Sequence, residues 1–136
     1  MSEPAKDLKE LRVLCVDDQP SLLSALRRTL SSDYAVVAVE SAEEALAKLE
    51  SGMQCDVIMT DTRMPGMRGP ELLAVVQKRW PNMARVIMSG ADQGEAQFAL
   101  DDGRAHEFMA KPWSPGEPEA HIAAAIAKVA IERRSV

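Results

Sequence analysis

The sequence predicts an α/β fold in which one parallel sheet carries helices on both of its faces. Five short apolar runs rich in β-branched residues alternate with five segments whose apolar residues recur at helical spacing. The connections between successive runs are long enough for the crossover helices that parallel strands require. The 136 residues suffice for one such domain, and a hydrophobic content of 46% is enough for a buried core.

The first elements are predicted from a sharp change of periodicity. Leu11–Val16 is a mostly apolar run, which suits a strand buried on both faces. A helix follows at Pro20–Leu30, where proline stands in the first turn. The leucines at helical spacing in this segment are Leu22, Leu23, Leu26 and Leu30. Another apolar run, Tyr34–Val39, predicts the second strand.

The middle of the chain repeats this alternation. Ser41 followed by Glu44 is a capping box, which predicts a helix at Ala42–Glu50. The run Asp56–Thr60 predicts the third strand, and the next helix is predicted at Pro70–Trp80. The inward stripe of that helix consists of Leu72, Leu73 and Val76.

The last third predicts two more strands and two more helices. The fourth strand is predicted at Arg85–Met88 and the fifth at His106–Ala110. A weaker helix, Gln93–Asp102, lies between them and is closed by Gly103 at its C′ position. The last helix opens around Pro115–Pro118 and runs to about Arg133, with Ile122, Ile126 and Val129 as its inward stripe.

Composition restricts the function. The formal net charge of −5 argues against a nucleic-acid-binding surface, and the sequence has no apolar stretch long enough to cross a membrane. Cys15 and Cys55 adjoin apolar runs, as small reduced core residues often do, so we expect a soluble cytoplasmic protein. One domain is predicted at residues 11–133, between short tails at 1–10 and 134–136.

Polar side chains collect at the ends of four predicted strands. Asp17 and Asp18 close the first strand and Asp61 the third, while Ser89 and Lys111 follow the fourth and fifth. Ligands of open α/β sheets bind outside the carboxyl ends of the strands. If the first and third strands are neighbours, the three carboxylates converge and repel one another, which favours a bound cation. An all-oxygen ligand set suits Mg²⁺.

The same residue types suggest phosphoryl chemistry. Asp61 can act as a nucleophile, because carboxylates form acyl phosphates. Lys111 would hold a phosphoryl oxygen as a point charge, and the Ser89 hydroxyl could donate a hydrogen bond to another.

These residues form a pattern that resembles the receiver domain of two-component response regulators, the CheY-like family. The matching segments are Asp17-Asp18, Asp61-Thr62-Arg63-Met64-Pro65-Gly66, Ser89-Gly90 and Lys111-Pro112. The resemblance extends from about Leu11 to Arg133. It implies a flavodoxin-like, doubly wound, five-stranded parallel sheet of order 2-1-3-4-5 with five helices.

The resemblance also implies roles for the site residues. Asp61 would be the phospho-acceptor, supplied by a sensor histidine kinase or a phosphotransfer protein. Asp18 and Asp61 would ligate Mg²⁺ directly, together with the backbone carbonyl of Arg63, while Asp17 would act through water. Such a domain is a signalling switch that acts on an output domain or a partner protein, and it is not an enzyme beyond its own phosphorylation and autodephosphorylation.

Switching would involve two further residues. Ser89 would move toward the phosphoryl group, and Phe108 falls at the aromatic switch position, although it could equally be a plain core residue. The resemblance implies a cis peptide bond between Lys111 and Pro112. Two positions depart from the commonest pattern of the family: Arg63 is long and basic and should reach over the pocket, and Ala91 lacks a side chain that could guide water.

Alternative interpretations remain. A pseudo-receiver would have the same fold and act as a binding module without phosphorylation. Phosphatases of the haloacid dehalogenase type carry a second aspartate two residues after the nucleophile, where this chain has Arg63. The last helix is apolar nearly all round, which suggests a homodimer or an output partner, and His106 and His121 are expected at the surface.

Overall fold

The computed structural model describes residues 10–91 and 93–134. Its strands are Arg12–Val16 (β1), Ala35–Val39 (β2), Val57–Asp61 (β3), Ala84–Ser89 (β4) and Glu107–Ala110 (β5). Its helices are Pro20–Leu30 (α1), Ala42–Glu50 (α2), Gly69–Arg79 (α3), Gly94–Asp101 (α4) and Glu117–Arg134 (α5). The predicted tails lie outside the described residues except for Glu10 and Arg134, so the domain limits stay a proposal.

The strands form one parallel sheet in the order β2-β1-β3-β4-β5, as predicted. β1 lies between β2 and β3, with Val16 paired to Val39 on one side and to Thr60 on the other. From β1 the chain adds β2 on one side of the sheet and then β3, β4 and β5 on the other, so the strand order reverses between β1 and β3. This reversal opens a crevice at the carboxyl ends of the two strands, where Asp17, Asp18 and Asp61 stand.

Successive side chains of a strand point to opposite faces of the sheet, where they pack into two separate cores. Leu14 and Val16 of β1 belong to the core under α2, α3 and α4, whereas Val13 and Cys15 belong to the core under α1 and α5. A fully buried leucine or isoleucine contributes about 1.5–3 kcal/mol. Burial on both faces explains why β1, β3 and β4 are apolar runs and not alternating ones.

The helix signals in the sequence have structural counterparts. Ser41 caps α2, since its Oγ accepts a hydrogen bond of 3.1 Å from the Glu44 backbone N–H. Gly103 follows α4 with a φ of +88°, a conformation that glycine adopts at little cost. The buried stripe of α5 differs from the prediction: it consists of Pro118, Ile122, Ala125 and Val129, while Ile126 is only partly buried.

The cysteines are free thiols, with Cys15 buried and Cys55 half-buried. Burial raises the pKa of each to about 12, so both are neutral at physiological pH. None of the helices in the described part of the chain combines the length and the apolar character needed to cross a membrane.

The expectation that His106 lies at the surface is wrong. Its side chain is buried, and its Nδ1 accepts a hydrogen bond of 3.0 Å from the Arg85 backbone N–H. Its Nε2 therefore carries the proton and donates to Glu132 of α5, 3.0 Å away. Burial lowers the pKa of His106, which the hydrogen bond to Glu132 only partly opposes. The other histidine, His121, is half-buried and hydrogen-bonded to Glu107 at 2.9 Å.

Gly69 allows α3 to begin directly beside the end of β3. A Cβ atom at this position would lie 2.0 Å from the Asp61 carbonyl oxygen, and the Gly69 N–H donates to the Thr62 carbonyl at 3.0 Å. The close approach holds the residues after β3 in a tight turn. The turn therefore fixes the direction in which the chain leaves the sheet after Asp61.

Gly69→Ala should lower the free energy of unfolding by about 2–3 kcal/mol, because the methyl group meets backbone that cannot yield easily. Without that clash, alanine in a helix would raise stability slightly. Urea unfolding measures the change. Gly90→Ala is the matched control, since its Cβ meets no described atom within 4 Å. Equal stability of the two variants would contradict this account.

Candidate functional site

The ends of β1 and β3 bring three carboxylates together. Asp17, Asp18 and Asp61 each offer one oxygen, and these three oxygens lie within 4.8 Å of one another. Asp17 and Asp61 are buried, and Asp18 is exposed. The predicted convergence of the acids is therefore present in the structure.

Asp17 is fixed at the floor of the site. Its Oδ1 accepts a hydrogen bond of 2.9 Å from the Gln19 backbone N–H, and its Oδ2 accepts one of 3.1 Å from Lys111 Nζ. Burial raises the pKa of Asp17, and repulsion by Asp61 adds to this, while the bonds from Gln19 and Lys111 oppose it. The site therefore needs positive charge to hold its acids ionised together.

Asp61 is the last residue of β3 and is held by two donors. The Thr62 backbone N–H lies 2.9 Å from Asp61 Oδ1, and Lys111 Nζ lies 3.0 Å from the same oxygen. The Thr62 hydroxyl donates to the Met88 carbonyl at 2.6 Å, which ties the end of β3 to β4. The first two contacts hold the Asp61 carboxylate, and the third holds the end of the strand that carries it.

Lys111 bridges Asp17 and Asp61 at nearly equal distances. Burial alone would lower the pKa of its ammonium, but the two carboxylates outweigh this and raise it. The amine is therefore charged at physiological pH. The Lys111 backbone N–H donates to the Ser89 carbonyl at 2.8 Å. The peptide bond between Lys111 and Pro112 is cis, as the resemblance implied.

An open cavity of about 540 Å³ lies over these groups. Its lining includes Asp18, Asp61, Arg63, Ser89, Ala91 and Lys111. Ser89 is buried at the end of β4, one strand away from Asp61. Phe108 is not among the lining residues in the described part of the chain; it is partly buried and packs against the core under α2, α3 and α4.

The donor set fits a hard divalent cation. Three carboxylates against one lysine leave an excess of negative charge, and all the side-chain donors of the cluster are oxygens. Mg²⁺ prefers such ligands and keeps several waters when few protein groups bind it, which the open cavity permits. The oxygen ligands of the cluster therefore fit Mg²⁺.

The family model of the response regulator receiver domain matches residues 13–123 of the chain. The chain belongs to the receiver domain family. Receiver domains are regulatory and not catalytic domains, and they act as phosphorylation-regulated switches in two-component systems. The family typically binds Mg²⁺ through acidic residues of the kind clustered here.

Individual relatives agree with this assignment. The receiver is 40% identical over 108 residues to the hydrogenase transcriptional regulatory protein HoxA of Cupriavidus necator, covering 79% of this chain and 22% of HoxA. It thus spans about a fifth of the length of the curated relatives it matches.

Solved structures show the same fold. The signal receiver domain of an HD domain-containing protein from Pseudomonas fluorescens has a TM-score of 0.84 at 26% identity, covering 99% of this chain and 100% of that one. The response regulator TrrA of Thermotoga maritima, solved in complex with Mg²⁺ and BeF, has a TM-score of 0.76 at 25% identity, covering 85% and 99%.

Some residues that build the site escaped the sequence reasoning. Thr62 lies inside the matching motif but was given no role, although a hydroxyl directly after a strand-end acid can tether a neighbouring strand. Arg68 and Glu95, which form an ion pair beside Arg63, carried no signal, because their contact joins segments distant in sequence.

Mg²⁺ should stabilise the receiver against thermal unfolding, since a ligand that binds the folded state at ten times its Kd contributes about 1.4 kcal/mol. Asp18→Asn should abolish this gain. Because the variant loses one of three carboxylates that repel one another, it should be at least as stable as the unsubstituted protein in chelator. Asp101→Asn, which neutralises an exposed acid on α4, is the control and should keep the gain. A full Mg²⁺ effect in Asp18→Asn would contradict the metal site.

Proposed function

We propose that Asp61 accepts a phosphoryl group from a phosphohistidine of a sensor histidine kinase or phosphotransfer protein, and that the acyl phosphate changes the binding surface of the receiver. The observation that carries the proposal is the placement of Lys111 Nζ, 3.0 Å from Asp61 and 3.1 Å from Asp17, at the floor of an open cavity. A nucleophilic carboxylate and a charged amine thus share one accessible site.

The transfer forms one bond and breaks one. A carboxylate oxygen of Asp61 attacks phosphorus, the P–N bond to the donor imidazole breaks, and the imidazole leaves with that electron pair. Lys111 is placed to exchange its contact with Asp61 for a phosphoryl oxygen.

Mg²⁺ would be held by Asp18, Asp61 and the backbone carbonyl of Arg63, with Asp17 acting through water. When bound, it supplies positive charge that offsets the charge on the phosphoryl oxygens. Support for this ligand set comes from the convergence of the three carboxylates and from the place of Arg63 in the cavity lining.

The switch would begin at Ser89, whose hydroxyl donates to the phosphoryl group. Ser89 is paired in register with Ala110 of β5, so a shift of β4 at this point reaches the strand that carries Phe108. Phe108 lacks a hydroxyl and would respond through packing, and its partly buried position allows this. The phosphoryl group would then favour one of two existing arrangements.

The phosphorylated receiver would act on an output domain or on a separate partner protein. The regulatory proteins that match this receiver are several times longer, which supports an output domain. Binding to nucleic acid by the receiver itself is not part of the proposal, given its net charge of −5. A homodimer through α5 stays a prediction, supported by Ile131, which is 61% exposed. The cytoplasmic location belongs to the same proposal, and family membership supports it.

Incubation with a small phosphodonor and Mg²⁺ should add the mass of one phosphoryl group to the receiver. The adduct should be absent in Asp61→Asn and in chelator, and it should be released by hydroxylamine because an acyl phosphate is labile to that nucleophile. Intact-mass spectrometry measures all of these outcomes. The proposal predicts one adduct per chain and places it on Asp61.

Asp101→Asn is the control for a lost carboxylate and should be labelled like the unsubstituted protein. An adduct that persists in Asp61→Asn would place the phospho-acceptor elsewhere. No adduct with any phosphodonor would favour the pseudo-receiver, which binds its partners without phosphorylation.

A further inference from the structure

A second cationic group stands at the rim of the cavity. Arg63 follows the phospho-acceptor by two residues and lines the cavity, and 57% of its side chain is exposed. Its Nε lies 3.8 Å from Glu95 Oε1, in the first turn of α4. The guanidinium is thus held beside the site by a carboxylate that is not one of the three clustered acids.

Glu95 is held more firmly by another arginine. Arg68 donates to it with two nitrogens: Nε lies 3.2 Å from Glu95 Oε2, and Nη2 contacts Oε1. Arg68 itself is fixed at the start of α3, where its backbone N–H donates to Glu71 Oε1 at 3.3 Å. Glu95 therefore links α4 to the segment after β3 through two arginines, of which Arg68 binds Glu95 more tightly than Arg63 does.

Because Arg63 binds Glu95 less tightly than Arg68 does, Arg63 is the arginine that can leave Glu95. The ion pair between Arg63 and Glu95 is long, and exposed pairs of this kind contribute about 0.2–1 kcal/mol. Arg68 makes the two-pronged contact that matches guanidinium to carboxylate. If Arg63 departs, Glu95 keeps its partner Arg68 and is not left without a cation.

We propose that Arg63 is a phosphoryl-positioning residue whose guanidinium leaves Glu95 for the phosphoryl group on Asp61, with Glu95 as the competing anion. This rests on the proposed phosphorylation of Asp61. A phosphoryl group carries nearly two negative charges and three acceptor oxygens, so it outcompetes a single shared carboxylate.

The exchange has a structural consequence. In the unphosphorylated receiver, Glu95 of α4 pairs with both arginines; after phosphorylation, Glu95 keeps its ion pair with Arg68 and loses the one with Arg63. Phosphorylation thereby removes the ion pair between Arg63 and α4, while the ion pair between Arg68 and α4 remains. This links the charge on Asp61 to a helix without passing through Ser89 or Phe108.

The test is the affinity of the full chain for the phosphoryl mimic beryllofluoride in saturating Mg²⁺, measured by calorimetry. Arg63→Gln should weaken binding about three- to tenfold, because a charge-assisted contact is lost. Glu95→Gln should tighten binding about two- to threefold, because the competitor is gone. In the Arg63→Gln background, Glu95→Gln should have no further effect, which a double-mutant cycle detects.

A matched ion pair controls for the change in net charge. Arg79 and Glu50 lie 2.8 Å apart at the opposite end of α3, about half exposed, and play no part in the cavity. Arg79→Gln and Glu50→Gln should leave mimic binding unchanged. If Glu95→Gln also leaves it unchanged, or if the effects of Arg63→Gln and Glu95→Gln simply add, the exchange is refuted while phosphorylation of Asp61 stands. If the unsubstituted protein binds no mimic, both proposals fall together.

Discussion

The repulsion between three carboxylates at the ends of β1 and β3 is the constraint on which the rest of this molecule depends. The sheet order forces Asp17, Asp18 and Asp61 within 4.8 Å of one another. A single lysine, placed between two of them, offsets part of the charge. The remaining negative charge suits a divalent cation, and in the proposed function that cation offsets the charge of a phosphoryl group. The chemistry of the receiver thus follows from a charge imbalance that its fold imposes.

Two dense cores make that imbalance tolerable. The inner strands β1, β3 and β4 are buried on both faces, and this close packing holds the strand ends that carry the acids in place. Around the site, backbone groups fix the acids at little entropic cost: the N–H groups of Gln19 and Thr62 hold Asp17 and Asp61. Gly69 permits the tight turn behind Asp61. Burial and the neighbouring Asp61 raise the pKa of Asp17, so keeping this carboxyl ionised in the folded state opposes folding.

Local signals explain how much the sequence could predict. Element limits agree with the structure to within one residue, because periodicity and capping are properties of neighbouring residues. The acids could be placed at one edge, since strand ends in a parallel sheet share an edge. The burial of His106 could not be foreseen, because it depends on Arg85 and on Glu132 of α5. The same holds for Arg68 and Glu95, whose pairing requires the relative placement of α3 and α4.

Anomalous diffraction from a crystal soaked in Mn²⁺, a substitute for Mg²⁺ that binds the same oxygen ligands, tests the central claim most directly. The account predicts one strong peak in the cavity, ligated by carboxylate oxygens of Asp18 and Asp61 and by the carbonyl oxygen of Arg63. A cavity that stays without a peak at saturating Mn²⁺, or an ion bound only on another face of the sheet, would contradict it.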